Sequence, residues 1–217
     1  MTAIGWLCHY NRGMSDTEIR IRNLGLSDYQ VTWDAMRDFT EQRLEDTADE
    51  LWITEHAPVF TQGLNGRAEH ILDPGNIPVI RIDRGGQVTY HGPGQLVLYC
   101  LLDLPRRGLG VKGLVRRIEQ AVIELLDGYG ITAEAKPGAP GVYVGAAKIA
   151  ALGLRIRKGC CYHGLSLNVD MELEPFSRIN PCGFQGLAVT QLREFGVADD
   201  VESTGHRLAA ILTRILS

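Results

Sequence analysis

A thiol in a turn near the end of the chain is the first candidate for chemistry. Cys182 lies between Pro181 and Gly183 in the stretch FSRINPCGFQG, residues 176–186. A partly exposed thiol beside backbone N–H groups and a cation is the setting that stabilises a thiolate, the nucleophilic form of cysteine. The residues themselves leave three interpretations of Cys182 open: a nucleophile, a metal ligand or a small buried side chain.

Lys148 is the second candidate, because it interrupts GAAKIAALG, an extended segment of small apolar residues at 145–153. Burial removes water from an ammonium group and disfavours its charged form, which makes proton transfer near neutral pH feasible. The alternative is that Lys148 lies on an exposed sheet edge, where a lysine protects against aggregation. The spacing alone leaves both open.

The stretch RGGQVTYHGPGQ at residues 84–95 combines two glycine turns with polar side chains. Glycines let the backbone approach a ligand closely and point N–H groups at it. The stretch lacks the GxxxxGK[ST] spacing of a phosphate-binding loop, and a lone glycine-rich turn is often only a tight turn. His91, beside the second turn, suits either direct chemistry or a structural hydrogen bond. A bare hairpin does not need its polar company, which is Arg84, Thr89, Tyr90 and Gln95.

The run Cys160-Cys161-Tyr162-His163 contains zinc-binding residue types. Adjacent residues on a strand point to opposite faces, so the two thiols do not easily share one ion, and no CxxC or HxxxH pair accompanies them. Buried strand cysteines are the preferred interpretation. The chain has five cysteines, an odd number without the density of a disulfide scaffold, which indicates a reducing compartment.

Composition and charge exclude several classes of function. The chain has 217 residues, of which 45% are hydrophobic and 22% charged, and its formal net charge is −4. Nonspecific nucleic-acid binding needs a cationic surplus that this chain lacks. The first residues lack the pattern of a signal peptide, and no apolar stretch reaches the roughly 18 residues of a membrane span. We therefore expect a soluble cytoplasmic protein that binds neither nucleic acid nor membrane.

Helical and strand patterns alternate around these candidates. Apolar spacing predicts a helix capped by Ser27, a second at residues 110–129 and a third at residues 204–216. Strands are predicted on both sides of the turn at residues 92–94, and about three more between residues 141 and 170, with a hairpin turn at residues 157–159. Strand clusters between few helices predict an α+β fold: a single domain, residues 24–217, with a mixed or antiparallel sheet flanked by helices, after an N-terminal extension, residues 1–23.

Taken together, the sequence resembles the lipoyl(octanoyl) transferases. The resemblance covers most of the chain from the first helix onward, in order. The stretches that carry it are HAPVFTQG at 56–63, AEHILDPGNIPV at 68–79, RGGQVTYHGPGQLVLY at 84–99, APGVYVGAAKIAALGLRI at 139–156, HGLSLNVDMEL at 163–173 and FSRINPCGFQG at 176–186.

This resemblance implies roles for the candidate residues. Cys182 would be the nucleophile that carries the acyl group as a thioester, and Lys148 would lower the pKa of that thiol and relay protons. The implied fold is that of the biotin and lipoate protein ligases. The implied acyl-binding pocket consists of Arg84, Gly85, Gly86, Gln87, Val88, Thr89, Tyr90, His91, Ala151, Leu152, Gly153, Gly164, Leu165 and Ser166.

The resemblance also implies partners. The donor would be octanoyl carried on the phosphopantetheine of acyl carrier protein, and neither ATP nor a metal would be required. The acceptors would be lysines in the lipoyl domains of 2-oxoacid dehydrogenases and in the glycine cleavage H protein. A basic set would dock the acidic carrier protein, unless its members are only solvated faces: Arg106, Arg107, Lys112, Arg116, Arg117, Arg155, Arg157 and Lys158.

Two other functions remain open. An ATP-dependent lipoate or octanoate ligase would share the fold and a lysine in a similar strand, but it would not need a thiol nucleophile at Cys182. A noncatalytic protein that binds acyl carrier protein would keep the pocket but could lose Cys182 and Lys148, and this chain has both.

Overall fold

A seven-stranded mixed sheet forms the centre of the computed structural model, which describes residues 18–181 and 186–217. One pair of strands at an edge of the sheet is parallel, and the other neighbouring strands pair antiparallel. The expected α+β domain with a mixed sheet is therefore confirmed. Across the sheet the strands follow the order β1 (Ile19–Ser27), β2 (Asp49–His56), β6 (Gln95–Asp103), β10 (Cys160–Asn168), β9 (Ala147–Arg157), β8 (Ala139–Val144) and β7 (Glu134–Lys136).

A second, smaller sheet carries the glycine-rich stretch. It consists of β4 (Val79–Arg81), β3 (Val59–Gln62) and β5 (Val88–His91), in that order. The turn predicted at residues 92–94 separates β5 from β6, and these two strands belong to different sheets. The chain thus crosses from the small sheet to the large one directly after His91.

In the described part of the chain, three helices cover the large sheet. α2 (Val111–Gly128) and α3 (Val201–Leu216) pack on one face, where leucines of β6 and of both helices form the main apolar core. α1 (Tyr29–Glu41) covers part of the other face, where Met36 packs with Trp52, Tyr99 and Tyr162. The helix predicted at residues 110–129 is confirmed to within one residue at each end.

The predicted start of α1 is wrong by one residue. Asp28 caps the helix by accepting the backbone N–H of Val31 at 3.0 Å. The hydroxyl of Ser27 lies 2.7 Å from the hydroxyl of Thr54 on β2 instead. The Ser27 side chain, which the local pattern assigned to the cap, therefore contacts a neighbouring strand instead.

The ends of the remaining elements follow from their caps and turns. α3 begins at Val201, earlier than expected, because the Asp200 side chain accepts the N–H of Ser203 at 2.8 Å. The predicted hairpin turn is confirmed: Lys158 and Gly159 join β9 to β10 with φ of 51° and 81°. Positive φ at both central positions is the geometry of a type I′ turn.

Strand β1 runs across the expected boundary between residues 23 and 24, and its register with β2 starts at Ile19. None of the helices in the part of the chain that the structure describes combines enough length with enough apolar character to cross a membrane.

Candidate functional site

The glycine-rich stretch, strands β9 and β10 and the start of α2 enclose a cavity of about 340 Å³ with a largely apolar wall. Lys148 and thirteen of the fourteen residues predicted for the acyl pocket line it. These thirteen are Arg84, Gly85, Gly86, Gln87, Val88, Thr89, His91, Ala151, Leu152, Gly153, Gly164, Leu165 and Ser166. Segments that are far apart in the sequence thus meet at one site, although their role in binding an acyl chain remains a prediction.

Tyr90 is the predicted pocket residue that does not line this cavity. Its neighbours Thr89 and His91 do, and side chains alternate between the two faces of a strand. Tyr90 therefore points away and packs against Phe60 and Phe176, with ring centroids 5.5 Å apart in both pairs.

Several residues of the cavity wall were not predicted. Val111 and Val115 come from the first turns of α2, and Val97 and Tyr99 come from alternate positions of β6. Their local patterns assign them to apolar faces without indicating a cavity. The other unpredicted members are Tyr29, residues 138–140, Leu154 and His163.

Lys148 is buried, with 4% of its surface exposed, so the interpretation as an exposed edge residue is wrong. Its ammonium nitrogen donates to the carbonyl oxygen of Pro140 at 3.1 Å and lies 5.1 Å from the centre of the Tyr143 ring. Burial disfavours the charged form of a lysine and makes proton transfer by it feasible near neutral pH.

Cys182 lies outside the described residues, but the chain that follows residues 182–185 contacts Lys148. The backbone N–H of Lys148 donates to the carbonyl oxygen of Ala188 at 2.9 Å, and the carbonyl oxygen of Lys148 accepts from the N–H of Thr190 at 3.1 Å. On the other side, Pro181 and Lys148 line the same small recess. The chain that follows the candidate thiol is therefore hydrogen-bonded to the backbone of Lys148, and the residue before the thiol lines the same recess as Lys148.

Hydrogen bonds of the Arg84 side chain hold the glycine-rich stretch in place at the cavity. Its Nη2 donates to the carbonyl and the hydroxyl of Thr61 at 2.7 Å and 3.0 Å, and its Nη1 donates to the carbonyl of Gly85 at 2.9 Å. The N–H of Gly85 donates to Leu154 on β9 at 2.9 Å. At Gly153 a Cβ atom would lie 3.0 Å from the Arg84 side chain, so the close approach of loop and strand favours glycine there.

His91 makes structural hydrogen bonds at the edge of the cavity. Its Nδ1 lies 2.7 Å from the Gln95 amide oxygen, and its Nε2 lies 3.3 Å from the Thr61 hydroxyl. Burial, and then the charge of His56, lower the pKa of His91 to about 3. Because an amide oxygen only accepts, the neutral ring carries its proton on Nδ1.

A second polar group lies behind the cavity wall. Asp83 accepts from Trp33 at 2.9 Å and from His163 at 3.0 Å, and it also accepts from the Tyr162 hydroxyl. Burial alone would raise the pKa of Asp83, but these hydrogen bonds outweigh it and hold the pKa well below its usual range. His163 adopts a φ of 61°, which is uncommon for a residue with a side chain.

The other cysteines of the described chain are buried thiols. Cys161 packs with Cys100 in the main core. Burial raises the pKa of Cys100 to about 12 and also raises that of Cys161, so both stay protonated at neutral pH. Within residues 18–181 and 186–217, no group of three histidine, cysteine or acidic side chains is arranged to hold a metal ion.

The basic set divides into buried and exposed members. Arg106 and Arg107 bind Asp49 at 2.9 Å and 2.5 Å, and the Arg107 side chain is only 3% exposed, so the expectation that it forms part of a docking surface is wrong. Lys112 and Arg116 lie exposed on α2, next to Val111 and Val115 at the cavity.

Comparisons with known proteins agree with this arrangement. The family described as lipoyl protein ligase A/B catalytic domain matches residues 28–213. The chain is 58% identical over 203 residues to a protein of Shewanella sp. strain ANA-3 named octanoyltransferase, covering 94% of both chains. It is 59% identical over 196 residues to a protein of the same name from Aromatoleum aromaticum, covering 90% of this chain and 85% of the relative.

Solved structures with the same fold are more distant in sequence. A putative lipoate protein ligase from T. acidophilum with bound lipoic acid matches with a TM-score of 0.76 at 18% identity, covering 92% of this chain and 86% of that one. A biotin protein ligase from Aquifex aeolicus matches with a TM-score of 0.52 at 13% identity, covering 92% and 69%. The expected biotin and lipoate ligase fold is therefore confirmed.

Proposed function

The chain belongs to the octanoyltransferases, acyltransferases of the lipoyl protein ligase A/B family, and we propose that it moves octanoyl from acyl carrier protein to a lysine of a lipoyl domain through a thioester on Cys182. The observation that carries this proposal is the position of Lys148. It lies buried at the wall of an apolar cavity, and its backbone is hydrogen-bonded to the chain that follows residues 182–185.

In the first half-reaction the Cys182 thiolate attacks the carbonyl carbon of the octanoyl thioester on phosphopantetheine. A new C–S bond forms, the old C–S bond breaks, and the Lys148 ammonium gives its proton to the departing thiolate. One thioester replaces another, so the step is nearly neutral in free energy and needs no ATP. The positive charge of Lys148 before this transfer stabilises the attacking thiolate.

In the second half-reaction the acceptor lysine of the lipoyl domain attacks the acyl-enzyme. Lys148, now neutral, takes the proton that the amine loses, and the Cys182 thiolate leaves as the amide forms. Conversion of a thioester to an amide makes this step downhill. We propose that the reaction takes place in the cytoplasm, where thiols stay reduced.

The cavity supports binding of the acyl chain. Burial of each methylene contributes about 0.8 kcal/mol, so an apolar wall favours a chain that fills it and rejects longer chains by steric exclusion. The polar groups of the acyl thioester would lie at the Lys148 end, near Thr89 and Ser166.

Intact mass spectrometry tests this function directly. The protein is incubated with octanoyl-acyl carrier protein without ATP, and we expect a mass increase of one octanoyl group, located on the Cys182 peptide. The Cys182→Ser variant should stay unmodified and transfer nothing to an apo lipoyl domain, whereas Cys160→Ser should behave as the unaltered protein. A protein that stays unmodified here but acylates the lipoyl domain from free octanoate and ATP would be a ligase instead.

A further inference from the structure

Lys148 and Glu119 contact opposite ends of one peptide group. The ammonium of Lys148 donates to the carbonyl oxygen of Pro140 at 3.1 Å. The N–H of the same peptide, which belongs to Gly141, donates to the Glu119 carboxylate at 3.0 Å. Glu119 reaches this peptide from the middle of α2, where its side chain is half-buried.

The strands around this peptide are irregular in a way that makes both contacts possible. Between β7 and β8 the register jumps from Ala135–Val142 to Lys136–Ala139, which leaves Pro140 and Gly141 outside the regular ladder. A bulge of this kind turns backbone groups away from their strand partners. The released carbonyl faces Lys148, and the released N–H faces the helix.

Gly141 fits this position because its φ is 133° and there is no room for a side chain. A Cβ atom there would lie 2.6 Å from the carbonyl oxygen of Ala150, 3.1 Å from Cε of Lys148 and 3.3 Å from its Nζ. The lysine side chain therefore lies directly on the Gly141 backbone.

We propose that Glu119 is a positioning residue for Lys148: its carboxylate holds the Pro140–Gly141 peptide in place and, through that peptide, stabilises the lysine in its ammonium form. A peptide that accepts from a cation and donates to an anion is polarised in one direction, and hydrogen bonds in such a series strengthen one another. The inference rests on the proposed function for its relevance to catalysis but not for its geometry.

A purely structural role for Glu119 is the competing explanation. Gly141 is buried, and its N–H needs an acceptor whether or not Lys148 does chemistry. Glu119→Gln separates the two explanations, because a glutamine oxygen can accept the same hydrogen bond while the negative charge is lost. Glu124→Gln is the matched control: Glu124 lies on the same helix and pairs with Arg214.

The experiment is competitive labelling of all lysines with trace acetic anhydride over a pH series, read by peptide mass spectrometry. The labelling midpoint of Lys148 should move to lower pH by about 0.5–1 unit in Glu119→Gln relative to Glu124→Gln, because a nearby opposite charge favours the charged form. Lys112 and Lys158 serve as internal references whose midpoints should not change. Equal midpoints for Lys148 in the two variants would overturn the inference.

Transfer kinetics add a second readout. In Glu119→Ala, which also removes the acceptor, we expect kcat for octanoyl transfer to fall on the order of tenfold with KM for octanoyl-acyl carrier protein unchanged, a part of what a positioned proton donor contributes. Glu119→Gln keeps the acceptor but not the charge, so it should restore only part of this loss, and full restoration would favour the purely structural role. Labelling does not depend on turnover, so a failure of the proposed function would leave the midpoint result intact.

Discussion

Asn168 donates its side-chain amide to the carbonyl oxygen of Thr190 at 2.9 Å. Its amide oxygen accepts from Gln95 at 3.0 Å, and Gln95 accepts from His91 at 2.7 Å. The backbone N–H of Thr190 donates to the carbonyl oxygen of Lys148 at 3.1 Å. A continuous series of hydrogen bonds thus joins the cavity wall to the strand that carries the lysine.

Asn168→Ala should destabilise the protein by about 1–3 kcal/mol, because it leaves the buried carbonyl of Thr190 without its side-chain donor. Urea unfolding measures this change. Asn76→Ala, at an exposed position, is the control and should stay within about 0.5 kcal/mol of the unaltered protein. Equal stability of the two variants would mean that the series contributes nothing to the fold.

The sequence predicts those elements whose form depends on residues close to one another in the chain. The apolar face of α2 and the turn at Lys158 and Gly159 follow from spacing and from turn chemistry. The cap of α1 did not follow, because Ser27 and Asp28 are both good capping residues. The choice between them depends on the contact of Ser27 with Thr54, which is 27 residues away in the sequence.

The residues of the candidate site also fall into those that the local sequence indicates and those that only tertiary packing brings there. Thirteen of the fourteen residues taken from the motif resemblance lie at the cavity wall, in the glycine-rich stretch and along β9 and β10. Tyr90 was included because it lies within the motif, although strand alternation turns it away. Val115, Tyr29 and Glu119 carry no local signal for the site, because only the packing of α1 and α2 against the sheet brings them there.

We expect the buried carboxylate of Asp49 to contribute to the stability of the fold. Its buried carboxylate binds Arg43, Arg106 and Arg107 at 2.5–2.9 Å and accepts the N–H of Asp103 at 2.9 Å. Asp49→Asn would leave buried guanidinium groups without their counter-charge, and we expect a loss of about 3–5 kcal/mol in urea unfolding.

The control for Asp49 is Asp170→Asn. Asp170 pairs with Arg193 at 2.8 Å, but both side chains are more than half exposed. Exposed pairs contribute about 0–1 kcal/mol, so this variant should unfold almost as the unaltered protein does. A loss of similar size in both variants would contradict a special role for the buried cluster.

Stability should fall as the pH drops from about 6.5 to about 4, because two buried histidines resist protonation in the fold. Burial lowers the pKa of His56 from 6.5 to about 4, and burial followed by the charge of His56 lowers that of His91 from 6.5 to about 3. In this window the unfolded chain binds protons that the folded chain does not, so each histidine costs about 1.4 kcal/mol per pH unit.

His91→Gln removes one of these titrations and should reduce the slope of unfolding free energy against pH by about 1.4 kcal/mol per unit in that window. Glutamine can still donate to Gln95, and His56→Gln serves as a second variant. Asn76→Ala, at an exposed position and without a titratable side chain, should leave the slope unchanged. If neither His91→Gln nor His56→Gln altered the slope, the loss of stability at low pH would not come from these two histidines.

Val115→Phe should shift the preference for acyl chain length. Val115 projects from α2 into the cavity wall, so a larger side chain removes volume that an eight-carbon chain needs more than a six-carbon chain. We expect the ratio of kcat/KM for octanoyl to that for hexanoyl donors to fall on the order of tenfold, the scale at which a pocket resolves small differences in chain length. Val31→Phe makes the same change at a position that is 68% exposed and outside the cavity wall, and it should keep the original ratio. If both variants kept that ratio, the acyl chain would have to bind elsewhere than along α2.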